Sequence, residues 1–299
     1  MNKKYKYMNS VLKKSFKRGI YVCLVIFTSL TLVASNGNFH HVTGANDLKA
    51  NEDCLIERAL KNPTSNRPCI TNPIPSITPT PTPNLALPQK ERFLAFITTQ
   101  LPLIPNPNTF EYIMLRQYGA PFVNLNSAIK LPPKVFFPNP EETRTYQATL
   151  VMGKVNSGNN CLLQKAAADA FNIADKQINI PLKSGYGAGD CTRTYETNLR
   201  FWKKYANNNT LERVKQGRET AILNVVAPPG TSQHLWGLAI DLRVSTAAQR
   251  TALNQNGWFQ TVETDLPHWT YLGVPEEKLP DFGFNKKIVR GVTYWLTPL

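Results

Sequence analysis

The chain has 299 residues, 42% apolar and 18% charged, a composition that suits one large or two small globular domains. Its formal charge is +14, but seven basic groups fall before residue 19, and the rest of the chain holds 27 basic groups against 20 acidic ones. That remainder shows no Lys/Arg stripe interleaved with aromatics, so the charge excludes a nucleic-acid partner and leaves solvated surface or peripheral attraction to a polyanionic wall or membrane.

Lys3, Lys4, Lys6, Lys13, Lys14, Lys17 and Arg18 precede an apolar run over 20–34, which ends at Ser35-Asn36-Gly37. Basic, apolar, small is the layout of a secretory leader, so residues 1–35 are expected to be a signal peptide and the protein secreted or held in the cell envelope. The run is shorter than the roughly 20 residues that span a bilayer, which favours cleavage over a permanent anchor. Cys23 lacks the small-residue setting of a lipid-anchored cysteine. The four later cysteines form an even set in an exported chain, and pairing neighbours gives Cys54–Cys69 and Cys161–Cys191. They have no C-x-x-C spacing, so a cysteine zinc site is not expected.

Residues 36–90 read as a short cystine-containing segment followed by a Pro/Thr-rich linker, whose alternating Thr-Pro favours extended polyproline geometry and cannot form a core. Residues 91–299 have the size of one domain and carry the readable chemistry. Within them, apolar spacing of three and four predicts a helix over 161–174, and a second helix is expected over 194–206. Strands are expected over 178–182, 221–226, 238–244, 268–272 and 288–296. Helices and strands mix without βαβ repeats, so the fold class is α+β, a small antiparallel sheet with flanking helices. The domain is expected to be a monomer.

Only two histidines occur in this domain, each inside a polar, glycine-containing motif. The first motif is Ser232-Gln-His234-Leu-Trp-Gly237-Leu-Ala239-Ile-Asp241. On a strand from Leu238, period two sends Ala239, Asp241 and Arg243 to one face, and a turn at Gly237 can return His234 to the side of Asp241. The second motif, Glu263-Thr-Asp265-Leu-Pro267-His268-Trp269-Thr-Tyr271, supplies a second imidazole. His234, Asp241 and His268 are suitable Zn2+ ligands, and three protein ligands describe a catalytic zinc better than a structural one. Asp265, three residues before His268, is placed to accept a proton from a zinc-bound water.

At these residues the chain resembles the D-alanyl-D-alanine carboxypeptidase family of zinc peptidases, through S-x-H-x-x-G-x-A-x-D followed by carboxylate-x-x-H. The resemblance implies the fold shared by D-Ala-D-Ala dipeptidases, L-alanyl-D-glutamate endopeptidases and the hedgehog signalling domain. It implies His234, Asp241 and His268 as zinc ligands, Asp265 as general base, and peptidoglycan stem peptides as substrates. A third family element is present in altered form: Ser184-Gly185-Tyr186 is separated by the insertion Gly187-Ala-Gly-Asp-Cys-Thr192 from Arg193, and Asn198 stands where glutamine is usual. Arg193 then binds substrate and steadies the oxyanion. The family's carboxypeptidases usually have glutamate at the position of Asp265, which keeps Glu263 open as an alternative base.

Ser232 orients His234 or contacts substrate, and Trp269 and Tyr271 are packing residues first and substrate contacts second. The implied reaction is release of the terminal D-alanine. Cleavage between L-alanine and D-glutamate, or wall binding without catalysis on the same fold, are the alternatives. Ser127-Ala-Ile-Lys130, Ser157-Gly-Asn159 and Lys183-Ser-Gly185 imitate serine-type penicillin-binding enzymes, but Pro132 and Pro133 would stop the helix that the serine needs.

Overall fold

The structure, a computed structural model, describes residues 81–185 and 187–299. The expected signal peptide, Cys54, Cys69, the linker as far as residue 80, and Tyr186 lie outside these residues.

Helix α1 (Gln89–Ile97) buries Phe93, Phe96 and Ile97, and two of its rings meet Phe284 and Phe282 edge-on. Helices α2 (Phe110–Tyr118) and α3 (Pro140–Gln147) start at Thr109 and Asn139, whose side chains accept backbone N–H groups of the first turn. Strands β1 (Met152–Lys154) and β2 (Leu162–Gln164) form an antiparallel hairpin, and α4 (Lys165–Gln177) follows directly. The helix expected from residue 161 therefore begins four residues later, because Leu162–Gln164 pair with β1. On α4, Ala167, Phe171 and Ala174 recur at spacings of four and three and face the core.

The segment 178–182 is not a strand. It makes a single bridge, Leu182 to Leu242, and Pro181 has no N–H with which to extend the ladder. Helix α5 (Tyr195–Tyr205) lies where helical spacing placed it, capped by Thr194, and α6 (Asn208–Lys215) follows with Asn207 as its cap. The segment 221–226 is also not a strand but a 3-10 turn (Ala221–Asn224). Its buried residues, Leu223 and Val226, are three apart, a spacing that a strand cannot direct to one side.

The sheet that positions the site comprises β3 (Ala239–Asp241), β4 (Trp258–Phe259) and β5 (His268–Tyr271), in the order β3-β5-β4 and antiparallel throughout, with α7 (Ala247–Gln255) linking β3 to β4. The expected last strand is a hairpin, β6 (Asn285–Val289) and β7 (Val292–Leu296), because Arg290 and Gly291 both take positive φ and reverse the chain in two residues. The fold is thus α+β with small antiparallel sheets and flanking helices, and Trp202, Trp236, Trp258 and Trp269 are among its largest fully buried side chains. Ser127 lies in a turn and Lys130 in a stretch without regular secondary structure, with no helix there to present a nucleophile.

Between the 3-10 turn Gln233–Trp236 and β3 stands Gly237, at φ 66°. A Cβ there would lie 3.2 Å from Gln164. Gly237→Ala is expected to lower stability by about 1–2 kcal/mol from the left-handed backbone alone, read as a reduced midpoint in thermal unfolding. An unchanged midpoint would contradict the conformational role given to this residue.

Candidate metal centre

Asp241 and His268 are direct cross-strand partners, opposite one another in the β3–β5 register. Their side chains share one face of the sheet, and the turn at Gly237 carries His234 back over it. His234 Nε2 lies 3.3 Å from Asp241 Oδ1 and 3.2 Å from His268 Nδ1, while His268 Nδ1 is 3.6 Å from the same oxygen. All three residues are buried, with their candidate ligand atoms within 4.8 Å of one another.

The protons on the two rings are fixed from outside. His234 Nδ1 is 2.8 Å from the carbonyl of Cys191, which can only accept, so this nitrogen carries the hydrogen. His268 Nε2 is 2.7 Å from Gln233 Oε1. The Gln233 amide cannot be turned over, because its Nε2 donates to the carbonyl of Tyr118 at 2.8 Å. Its oxygen also accepts from Thr270 Oγ1 at 2.8 Å. His268 must therefore donate from Nε2. With the outer nitrogens engaged as donors, the inner nitrogen of each ring, His234 Nε2 and His268 Nδ1, is the one that faces the other ring and the Asp241 oxygen.

Electrostatics agree with this picture. Burial, aided by the nearby Arg193, lowers the pKa of His234 to about 4, which leaves the ring neutral. For Asp241, burial works against the charge, but the Arg193 guanidinium beside it outweighs that and holds the carboxyl well below its usual range. Three electron-rich atoms so placed repel one another unless a cation lies between them. Two imidazole nitrogens and one carboxylate oxygen are a zinc-type donor set, with outward hydrogen bonds of the kind that metal-binding histidines make.

A cleft of about 80 Å³ opens on the triad, lined also by Arg193, Asn198, Ser232 and Asp265. Asp265 is half-buried, and burial pushes its carboxyl up to about 6, with the Asp241 charge adding to the rise and His268, Lys183 and Arg193 opposing it. Thr264 before it takes φ 64°, a left-handed conformation that costs an L residue about 1–2 kcal/mol. That turn separates the two acids: Asp265 lines the cleft, whereas Glu263 does not and is held by Lys287 at 2.7 Å.

Arg193 donates from Nη2 to Asp241 Oδ2 at 2.5 Å and from Nε to the Gly189 carbonyl at 2.7 Å, with its guanidinium over the Phe201 ring. Ser232 accepts from the His234 N–H as the cap of its turn. Asn198 lines the cleft, yet its amide is engaged on both ends, with the Ala227 carbonyl and the Gly230 N–H, and so braces the loop that leads into the first motif. Trp269 and Tyr271 are not in the cleft. On β5 they alternate with His268 and Thr270, so period two sends them to the other side of the sheet. Both side chains pack: Trp269 is buried and Tyr271 lies against Trp258.

Gln233 and the Cys191 carbonyl were not foreseen. A buried amide beside the motif histidine was a signal for the first, but the second acts through its backbone, which residue type does not reveal. Gln233→Leu leaves His268 Nε2 and the Tyr118 carbonyl without their partner. It should weaken divalent-metal affinity by about 10–100-fold, measured by competition with a chromophoric chelator. Unchanged affinity would show that the amide does not set the ring.

Residues 160–274 match the family model described as D-alanyl-D-alanine carboxypeptidase. No curated protein matches the chain. Among solved structures, the vancomycin-resistance D,D-dipeptidase VanXYg, in complex with a D-Ala-D-Ala phosphinate analogue, is similar at 19% identity and a TM-score of 0.28, over 40% of this chain and 54% of that one. This chain thus spans about half the length of that enzyme. The matched segment contains both histidines, Asp241, Arg193 and Asp265, and residues 160–274 form a domain of the D-alanyl-D-alanine carboxypeptidase family, a family of zinc peptidases.

Proposed function

We propose that this chain is a zinc-dependent peptidase of peptidoglycan stem peptides that releases the terminal D-alanine, with His234, Asp241 and His268 as metal ligands. The observation that carries the reading is the convergence of two imidazole lone pairs and one carboxylate oxygen in a cleft that also holds a carboxyl of raised pKa. Zinc bound there supplies a Lewis acid and lowers the pKa of a bound water to about 7.

The protein's own groups do the rest. Asp265 takes the proton from the attacking water and returns it to the leaving amine, a shuttle for which a pKa near neutrality is suited. Glu263, bound to Lys287 outside the cleft, is not the base in this reading. A guanidinium has five N–H donors, and two of those on Arg193 are used by Gly189 and Asp241. The remainder supply hydrogen bonds to the negative charge that develops on the scissile carbonyl. Ser232 holds the turn bearing His234 and lines the substrate's path.

The disulfide between Cys161 and Cys191 supports an extracytoplasmic location, secreted or in the cell envelope, because such bonds persist in oxidising compartments. A second reading, cleavage between L-alanine and D-glutamate, is favoured by aspartate rather than glutamate at the base position, which shortens the reach of the acid. Mass analysis of digested muropeptides separates the two, since loss of one alanine and cleavage after L-alanine differ in mass.

Chelation should abolish hydrolysis of a peptide ending in D-Ala-D-Ala, and zinc should restore it; activity that survives chelation would contradict the proposal. Asp265→Asn should reduce kcat by about 10²–10⁴-fold. In chelated protein the same change should raise the unfolding midpoint at pH 7.5. The folded carboxyl titrates at about 6 instead of 3.8, so stability present below the lower value is lost as pH rises through the higher one. The amide escapes that loss. An unchanged kcat would remove Asp265 from the mechanism.

A further inference from the structure

Three consecutive backbone carbonyls in the insertion before Arg193 each hold a different residue of the site. The Gly189 carbonyl accepts from Arg193 Nε at 2.7 Å, that of Asp190 from the Asp241 N–H at 2.8 Å, and that of Cys191 from His234 Nδ1 at 2.8 Å. The turn that presents them is closed on itself: the N–H groups of Asp190 and Cys191 both donate to the Gly187 carbonyl, at 2.9 and 3.0 Å.

This turn is tied down at both ends. Cys191 is bonded to Cys161 beside β2, and both are fully buried. The Asp190 carboxylate accepts from the Ser184 N–H at 2.8 Å and from its hydroxyl at 2.5 Å. Gly187 sits so close to Asn159 that a Cβ would come within 2.3 Å of its carbonyl oxygen, which fixes the start of the turn against the β1–β2 connection. Without such ties, a turn of Gly, Asp and Cys would have no reason to keep three carbonyls aligned.

We propose that the disulfide-stapled turn Gly189–Cys191 is the positioning element of the metal centre, and that the Cys161–Cys191 bond sets metal affinity through the carbonyl it holds beneath His234. The bond thus acts on function as well as on stability. This rests on the metal reading of the preceding section and adds to it residues that touch neither metal nor substrate.

The test uses the full chain and the variant Cys161→Ala/Cys191→Ala, with zinc affinity measured by chelator competition and the visible spectrum of the cobalt-loaded protein as a second readout. Val214→Ala is the control, since Val214 is fully buried on α6 and lines no part of the cleft. The double variant should bind zinc about 10–100-fold more weakly, the range seen for groups that orient metal ligands, with an altered cobalt spectrum. Val214→Ala should lose thermal stability and keep both metal readouts. Should the double variant not fold, Asp190→Ala decides: it cuts the tie to Ser184, leaves the disulfide, and should weaken zinc binding in the same direction. Wild-type affinity and spectrum in a folded staple variant, or in Asp190→Ala where that variant decides, would overturn the proposal. So would an equal loss of affinity in Val214→Ala. A wild-type chain that binds neither zinc nor cobalt would overturn the metal reading itself, which is a different outcome from tight binding that ignores the staple.

Discussion

Two imidazole rings approach each other at 3.2 Å, His234 Nε2 to His268 Nδ1, and the surrounding structure is what holds them there. Each ring is gripped on its far side by an oxygen that can only accept, the Cys191 carbonyl for His234 and the Gln233 amide oxygen for His268. Those two hydrogen bonds decide the tautomers, and the tautomers decide that both lone pairs point inward. Two inward nitrogens beside a carboxylate oxygen form a donor set that could hold a cation.

Much of the fold serves that constraint. The antiparallel register places Asp241 opposite His268 without any adjustment of side chains, and Gly237 allows the preceding turn to close over them. Gln233 reaches from this turn to the end of α2, where the Tyr118 carbonyl fixes its orientation, so even a remote helix contributes to the direction of one ring. Arg193 links the second oxygen of Asp241 to the same loop that supports His234. Asp265 is brought to the cleft by a strained residue, Thr264, in keeping with the tendency of strain to gather where function requires an unusual chain path.

The convergence of His234, Asp241 and His268 could be read from the chain because its signal is local in type: histidine and aspartate beside glycine, on strands whose period two sets a common face. The same period two sends Trp269 and Tyr271 away from the cleft, although proximity to His268 in the sequence made them candidates. Strands expected over 178–182 and 221–226 did not form, the first because proline interrupts the ladder and the second because its buried residues are three apart. The start of α4 was misplaced because strand pairing across a hairpin is a long-range contact that local periodicity does not contain. Asn198 and Gln233 show the same limit from the other side: both are amides whose work depends on partners 29 to 115 positions away. The separate fates of Asp265 and Glu263 turn on Thr264 and on Lys287, neither of which is distinctive as a residue type.

The central claim concerns what lies between the two rings, and it is tested most directly by X-ray absorption at the zinc edge on the purified chain loaded with stoichiometric zinc. The account predicts one zinc per chain with two imidazole nitrogens and carboxylate or water oxygens as its nearest neighbours, and no sulfur. A sulfur neighbour, a single imidazole, or a chain that retains no zinc would contradict it.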